Sequence, residues 1–206
     1  MEGISYELNG SLYLNITNRC TNECGFCIRL KSEKFNNEHP LWLTKEPTAK
    51  EIIDSIGDPT KYQSIVFCGY GEPLIRLDII KEVAKFVREK SVNGLPKIRI
   101  NTNGHGNMFW GRNIAKELVG LVDQISVSLN APNPEQYDKI CSPIAGKKAF
   151  DETIKFIIEV KKYIPETSAS VINSSNLNDI EESKKLAEKL GVTLRLRTYY
   201  EDEYRE

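Results

Sequence analysis

The sequence predicts an α/β fold, a partial (β/α)6 barrel of parallel strands, on three observations. Six short runs of β-branched and aliphatic residues alternate with segments of helical period, the pattern of repeated βαβ units. The runs carry polar residues at every second position, so one face of the sheet they build is wet. At 206 residues the chain is short of the roughly 250 that an eight-fold β/α barrel takes, yet long enough to bury a substantial core.

Taken in order, the first strand is SLYLNIT (11–17), which runs straight into the three closely spaced cysteines of CTNECGFC (20–27). The stretch after them, from about 29 to 47 and carrying LKSEKFNNEHPLWL, is the longest irregular piece. It suits a loop that covers a site or meets substrate, and reads equally as a surface excursion. Next come a helix TAKEIIDSI (48–56), a strand SIVFCG (64–69), a helix LDIIKEVAKFVREK (77–90) and a strand KIRINT (97–102). The alternation continues with a helix RNIAKELVGLV (112–122), a strand DQISVSLN (123–130), a helix FDETIKFIIEVKKYI (150–164) and a strand SASVIN (168–173). A helix DIEESKKLAEKLG (179–191), stopped by Gly191, and a strand TLRLRTYY (193–200) complete it. Thr, Asp or Asn precedes several of the helices as an N-cap.

Parallel strands covered on both faces are apolar almost throughout. Here Asn15 and Thr17, Arg99 and Asn101, Ser126, Ser128 and Asn130, and Arg195, Arg197 and Tyr199 each share one face of their strand, while aliphatic residues fill the other. A closed small barrel packs its interior with bulky side chains. A polar interior therefore implies an incomplete, splayed barrel around a ligand cavity, or else an open sheet with helices on one side only.

Twenty-eight basic residues against 29 acidic ones leave a net charge of -1, which points to neither nucleic acid nor a membrane surface. The start MEGISYELNG lacks the basic and apolar regions of a signal peptide, and no apolar run approaches the roughly 20 residues that span a bilayer. A single domain over 1–206, in the cytoplasm, is the expectation. In a reducing compartment five cysteines, an odd number, point to ligation or catalysis before disulfides.

Each functional-looking stretch follows a strand: CTNECGFC, GYGEP (69–73), NTNGHG (101–106), LNAPN (129–133) and INSSN (172–176). In a βα architecture such loops gather at the carboxyl end of the sheet, where sites are assembled. Cys20, Cys24 and Cys27 have the spacing C-x3-C-x2-C, close enough to surround one metal centre. A structural zinc would need a fourth ligand, from His39, His105, Cys68 or Cys141. A [4Fe-4S] cube needs one thiolate per iron, so three cysteines would leave one iron open to a non-protein ligand.

The C-x3-C-x2-C spacing with Phe26 before its last cysteine resembles the radical S-adenosylmethionine superfamily. GYGEP resembles that family's GGEP segment after the second strand, departing from it at Tyr70, and the βα alternation matches its partial TIM barrel over nearly the whole chain. The NITNRC start, CGYGEP and NTNGHGN are similar to its small TatD-associated branch. The resemblance implies a [4Fe-4S] cluster held by Cys20, Cys24 and Cys27, whose open iron chelates S-adenosylmethionine. Reductive cleavage then gives methionine and a 5′-deoxyadenosyl radical that takes hydrogen from substrate. It also implies that Phe26 lies against the adenine, and that Gly69, Tyr70, Gly71 and Glu72 present carbonyls and a carboxylate to the methionine ammonium. Asn103, Ser128 and Asn130 fall where relatives bind the ribose and carboxylate. Arg195 or Arg197 would supply a positive charge, unless their strand is an exposed edge.

The resemblance further implies a reduced flavodoxin- or ferredoxin-type electron donor. The substrate would be a protein or peptide, as for glycyl-radical activases, or a compact metabolite, as for 7-carboxy-7-deazaguanine synthases. Arg195, Arg197 and Tyr199 are candidates to meet it, as is His105, which otherwise is a loop histidine satisfied by backbone. Cys68 and Cys141 read as small apolar residues, and two thiols cannot hold a second cube. The alternative from another class is a binding module whose cysteines staple a loop through zinc.

Overall fold

The structure, a computed structural model, describes residues 3–174 and 179–199. It opens with a hairpin that the six-strand reading does not contain. β1 (Ser5–Leu8) pairs antiparallel with β2 (Ser11–Leu14) through the two-residue turn Asn9–Gly10, whose φ angles are 49° and 73°. Such a turn needs positive φ at both residues, and Asn-Gly supplies it with least strain, so the signal was present in the sequence. Beyond the cysteines, β3 (Lys34–Phe35) and β4 (His39–Pro40) form a short ribbon within the irregular stretch. Ile28, Lys31, Phe35 and Leu41 of this stretch line the central cavity, as a covering loop would.

α1 (Ala49–Ile56) begins with a complete capping box between Thr48 and Glu51. Then follow β5 (Ser64–Phe67), α2 (Leu77–Lys90), β6 (Lys97–Thr102), α3 (Gly106–Trp110), β7 (Gln124–Ser128), α4 (Pro134–Cys141), α5 (Lys148–Val160), β8 (Glu166–Ile172), α6 (Ile180–Leu190) and β9 (Thr193–Arg197). The strands are ordered β1-β2-β5-β6-β7-β8-β9, parallel from β2 onward. β1 and β9 are edges, so the sheet is an open arc, the partial barrel that the alternation predicts.

The register sorts side chains by chemistry. Leu14, Phe67, Ile100 and Ile125 stand in one row across four strands and are buried in the core with Ile80, Val83, Ala84 and Val87 of α2. On the other face Asn101 aligns with Ser126, and Ser128 with Ser170 and Arg195. That face encloses a cavity of about 460 Å³.

Residues 112–122 do not form the expected helix. Gly111 and Gly120 take positive φ, and the side chain of Asn113 accepts from Ala115 N at 2.9 Å, which leaves only a 3-10 turn at Ala115–Leu118. The period still marked the right residues for burial, since Ile114, Ala115 and Leu118 are inaccessible to solvent. α4 was absent from the sequence reading although its start is well marked: Asn133 caps Gln136 N at 2.9 Å and Pro134 takes the first helical position. Among the described residues no helix is long and apolar enough to cross a membrane.

Candidate functional site

β2 stops at Leu14 and the chain turns into the cysteine loop. The loop is docked on the end of α4: Glu23 N bonds Cys141 O, Gly25 N bonds Ile140 O, and Ile144 N bonds Thr21 O, at 3.1, 3.1 and 3.0 Å. Arg29 adds bonds to the carbonyls of Asn18 and Asn22. A buried polar chain braces the same loop from below. His105 Nδ1 is 2.8 Å from Thr21 Oγ1, His105 Nε2 is 3.1 Å from Tyr137 Oη, and Tyr137 Oη accepts from Asn22 Nδ2 at 3.1 Å.

His105 is therefore corrected from a substrate-facing candidate to a strut. Both of its ring nitrogens are engaged, it is 1% exposed, and it lies outside the cavity lining. Burial lowers its pKa to about 4, so the ring is neutral.

Cys20, Cys24 and Cys27 all line the cavity. Cys20 Sγ accepts from Asn22 N at 3.4 Å and from Asn103 Nδ2 at 3.7 Å. Burial, with Glu72 nearby, pushes its thiol up to about 12. The Cys24 thiol is pushed up by its hydrogen bond with Cys141 and by burial, and that of Cys27 by burial. Of the other ligand candidates, Cys68 lines the cavity, Cys141 is buried beside Cys24, and His39 stacks against Phe35 and Tyr6 outside it. Among the described residues no group of three or more His, Cys, Asp or Glu converges on a point as a single ion requires.

The GYGEP loop is bonded directly to the strand that leads into the cysteines. Asn15 accepts from Tyr70 N at 3.0 Å and donates to the carbonyls of Gly3 and Leu41 at 2.8 and 2.6 Å. Glu72 N bonds Arg19 O at 2.8 Å. The approach is so close that a Cβ at Gly69 would lie 2.0 Å from Asn15 Oδ1, and one at Gly71 would lie 2.3 Å from Thr17 O. Both glycines are dictated by contact. Asn15 and Thr17 are consequently buried behind the loop and do not line the cavity, contrary to the pattern reading; Thr17 bonds Glu46 at 2.5 Å. Their face of the strand is the polar one, but residues 41–46 and the GYGEP loop fold over it.

Glu72 also differs from expectation. Its Oε1 accepts from Leu74 N and Thr102 Oγ1 at 3.0 and 2.7 Å, and its Oε2 from Asn103 N at 2.6 Å. The carboxylate thus ties the GYGEP loop to the end of β6, and burial raises its pKa to about 7. Asn103 extends this link, donating to Thr21 Oγ1 at 2.8 Å and accepting from His105 N at 3.0 Å. Tyr70 is buried against Tyr6 and Leu41.

Phe26, Ser128, Asn130, Arg195, Arg197 and Tyr199 line the cavity, as their strand faces and loops imply. Asn130, at φ 58°, donates to Cys141 Sγ at 3.3 Å and accepts from Arg197 at 2.5 Å. Lys31 lies 5.6 Å over the Tyr199 ring. Ser175 and Asn176 of the INSSN loop lie outside the described residues.

Residues 14–187 match the profile of the Radical SAM superfamily. The chain is 27% identical over 193 residues to a probable GTP 3′,8-cyclase of Methanocaldococcus jannaschii, covering 90% of this chain and 57% of that protein. It is 26% identical over 183 residues to the dual-specificity RNA methyltransferase RlmN of Buchnera aphidicola, covering 85% and 48%. The chain thus spans about half the length of these curated relatives. In fold it is similar to a radical SAM methyltransferase from Sphaerobacter thermophilus, at a TM-score of 0.53 and 14% identity over 94% of this chain and 68% of the other. It is also similar to HydG, a maturase of the [FeFe]-hydrogenase, at 0.57 and 16% over 92% and 42%. With the family profile running from the end of β2 into α6, through the cysteine loop and the GYGEP loop bonded to it, the chain belongs to the radical SAM superfamily.

Proposed function

We propose that the protein is a radical SAM enzyme whose Cys20, Cys24 and Cys27 hold a [4Fe-4S] cluster and whose GYGEP side of the cavity receives S-adenosylmethionine. The observation that carries this reading is the junction of the two motifs: three thiols open into the cavity that Gly69 and Gly71 border, and hydrogen bonds lock the loops together. The donor set fits the group. Three thiols lining one cavity match the donor set of a cube that takes each thiolate on a separate iron and leaves the fourth iron open. When bound, the cluster and S-adenosylmethionine supply reductive cleavage to methionine and a 5′-deoxyadenosyl radical, which abstracts hydrogen from substrate.

The chain's own residues do the holding and shaping. Gly69 and Gly71 let the GYGEP loop pack directly on the segment that leads into the cysteines, and Glu72 fixes that loop against β6. Phe26 offers a ring to the adenine, and Asn103, Ser128 and Asn130 offer donors and acceptors along the polar face. Arg197, locked on Asn130, brings positive charge to the cysteine side. A reduced flavodoxin- or ferredoxin-type protein is the proposed electron donor, and Arg195 and Tyr199 border the space left for substrate.

Anaerobic reconstitution with iron and sulfide, followed by dithionite and S-adenosylmethionine, tests the reading. Cluster absorption and 5′-deoxyadenosine are expected from the native chain, with both strongly reduced in Cys24→Ala. A colourless protein, or product equal in the two, would overturn it.

A further inference from the structure

Three guanidinium groups line the cavity: Arg99 from β6, and Arg195 and Arg197 from β9. Among the described residues none of them has a carboxylate within ion-pair distance. The described lining holds one further cation, Lys31, and a single carboxylate, Glu72, whose two oxygens are already bonded within the protein.

The cysteine side accounts for only one of the three. Arg197 donates to Asn130, and the thiols of Cys24, Cys68, Cys141 and Cys27 are the groups that favour its charge. Of these thiols Arg99 shares only that of Cys68. Arg99 gives one Nη2 to Tyr13 Oη at 3.0 Å, and its guanidinium lies 5.9 Å from the centre of that ring. Its Nε is buried with no hydrogen-bond partner among the described residues, and so is Asn101 Oδ1, two residues further along β6.

Position separates Arg99 from the cysteine end. Asn103, whose side chain reaches Cys20, stands four residues beyond Arg99, roughly 13 Å along a parallel strand. Arg99 therefore sits on the floor of the cavity. Arg195 aligns with Ser170 and Ser128, the row two residues beyond that of Asn101 and Ser126, and reaches the same cavity from β9. A buried guanidinium nitrogen left unbonded is costly, and the planar fork matches a carboxylate or phosphate with two parallel hydrogen bonds. Beside Arg99 the stacked rings of Tyr6 and Tyr13, 5.1 Å apart, form an apolar wall for the remainder of a ligand.

We propose that this cavity binds an oxyanion of the substrate, a carboxylate or a phosphate, held by Arg99 on its floor and met by Arg195 from β9. The inference rests on the proposed function, since it assigns to substrate the part of the cavity away from the cysteines. The test is an anaerobic titration of the reconstituted protein, with S-adenosylmethionine present so that its own carboxylate site is filled. Inorganic phosphate, pyrophosphate and malonate are the probes, at ionic strength held constant with chloride, and melting temperature and calorimetric binding are read.

At least one probe is expected to bind saturably, and to bind tenfold or more weakly in Arg99→Gln and, separately, in Arg195→Gln. Arg195 is exposed on an edge strand, so its substitution keeps the fold even where that of Arg99 does not. Saturation by phosphate or pyrophosphate assigns a phosphorylated substrate, and saturation by malonate alone assigns a carboxylic acid. No binding beyond chloride, or binding that survives both substitutions, overturns the proposal. A native chain that takes up no cluster and makes no 5′-deoxyadenosine sinks the proposed function and this inference with it. One that does both yet ignores every anion sinks the inference alone.

Discussion

The carboxylate of Glu72 and the ring of His105 are both buried, yet their environments act on stability in opposite directions. Burial raises Glu72 to about 7 from 4.5, so the folded chain takes up a proton that the unfolded chain has released; this contribution is present at low pH and is lost as pH rises toward 7. Burial lowers His105 to about 4 from 6.5, so the unfolded chain binds the extra proton; its contribution is complete above pH 6.5 and is lost as pH falls toward 4. A difference measurement isolates the histidine. The stability gap between the native chain and His105→Gln should widen by roughly 3 kcal/mol between pH 4 and 6.5 in denaturant titrations, and a flat gap would show that His105 is not held neutral. Gly71 is constrained by contact alone. A methyl group there would lie 2.3 Å from Thr17 O and 2.5 Å from Arg19 O, both backbone atoms, so the loop must move. Gly71→Ala should cost about 1–3 kcal/mol and reduce 5′-deoxyadenosine formation. Unchanged stability and yield would argue that the loop is slack.

At the scale of elements, α4 holds the cysteine loop in place. Its last turn supplies the carbonyls of Ile140 and Cys141 to the loop, and Tyr137 on its buried face supplies the hydroxyl that meets Asn22 and His105. Asn133→Ala removes the cap on Gln136 N and should destabilise the protein by about 1 kcal/mol. Tyr137→Phe strands Asn22 Nδ2 and one His105 nitrogen in a buried site, a loss of about 1–3 kcal/mol, and should also lower iron retention on gel filtration. Retention equal to that of the native chain would confine the role of α4 to global stability. Of the elements outside the strand–helix alternation, β1 and α4 are marked in the sequence by Asn9-Gly10 and by Asn133-Pro134. Strand–helix alternation does not announce them, because an antiparallel strand and an extra helix do not belong to it. The helix expected at 112–122 failed for the converse reason: apolar period reports burial, but Gly111, Gly120 and the turn at Asn113 set the backbone.

For the whole molecule, the open arc of the sheet leaves a cavity, lined in part by the sheet's polar face, whose rim is the cysteine loop, the GYGEP loop and β9. A group that binds only the folded chain stabilises it by mass action, so the reconstituted protein should melt at a higher temperature than the metal-free chain in anaerobic calorimetry. Equal melting temperatures would mean that the cysteine loop adds nothing to stability when loaded. The sequence by itself determined the α/β alternation, the positions of the parallel strands, which face of each is polar, and the three-cysteine and GYGEP motifs, because these depend on local period and spacing. Only the tertiary structure decided that Asn15 and Thr17 brace the loop behind the cavity, that Glu72 and His105 are engaged internally, and that Arg99 stands on the floor with its Nε unbonded among the described residues. Those outcomes depend on which distant segments close over a side chain, as residues 41–46 do over β2 and α4 does over the cysteine loop, and a period-two pattern carries no information about what covers its polar face.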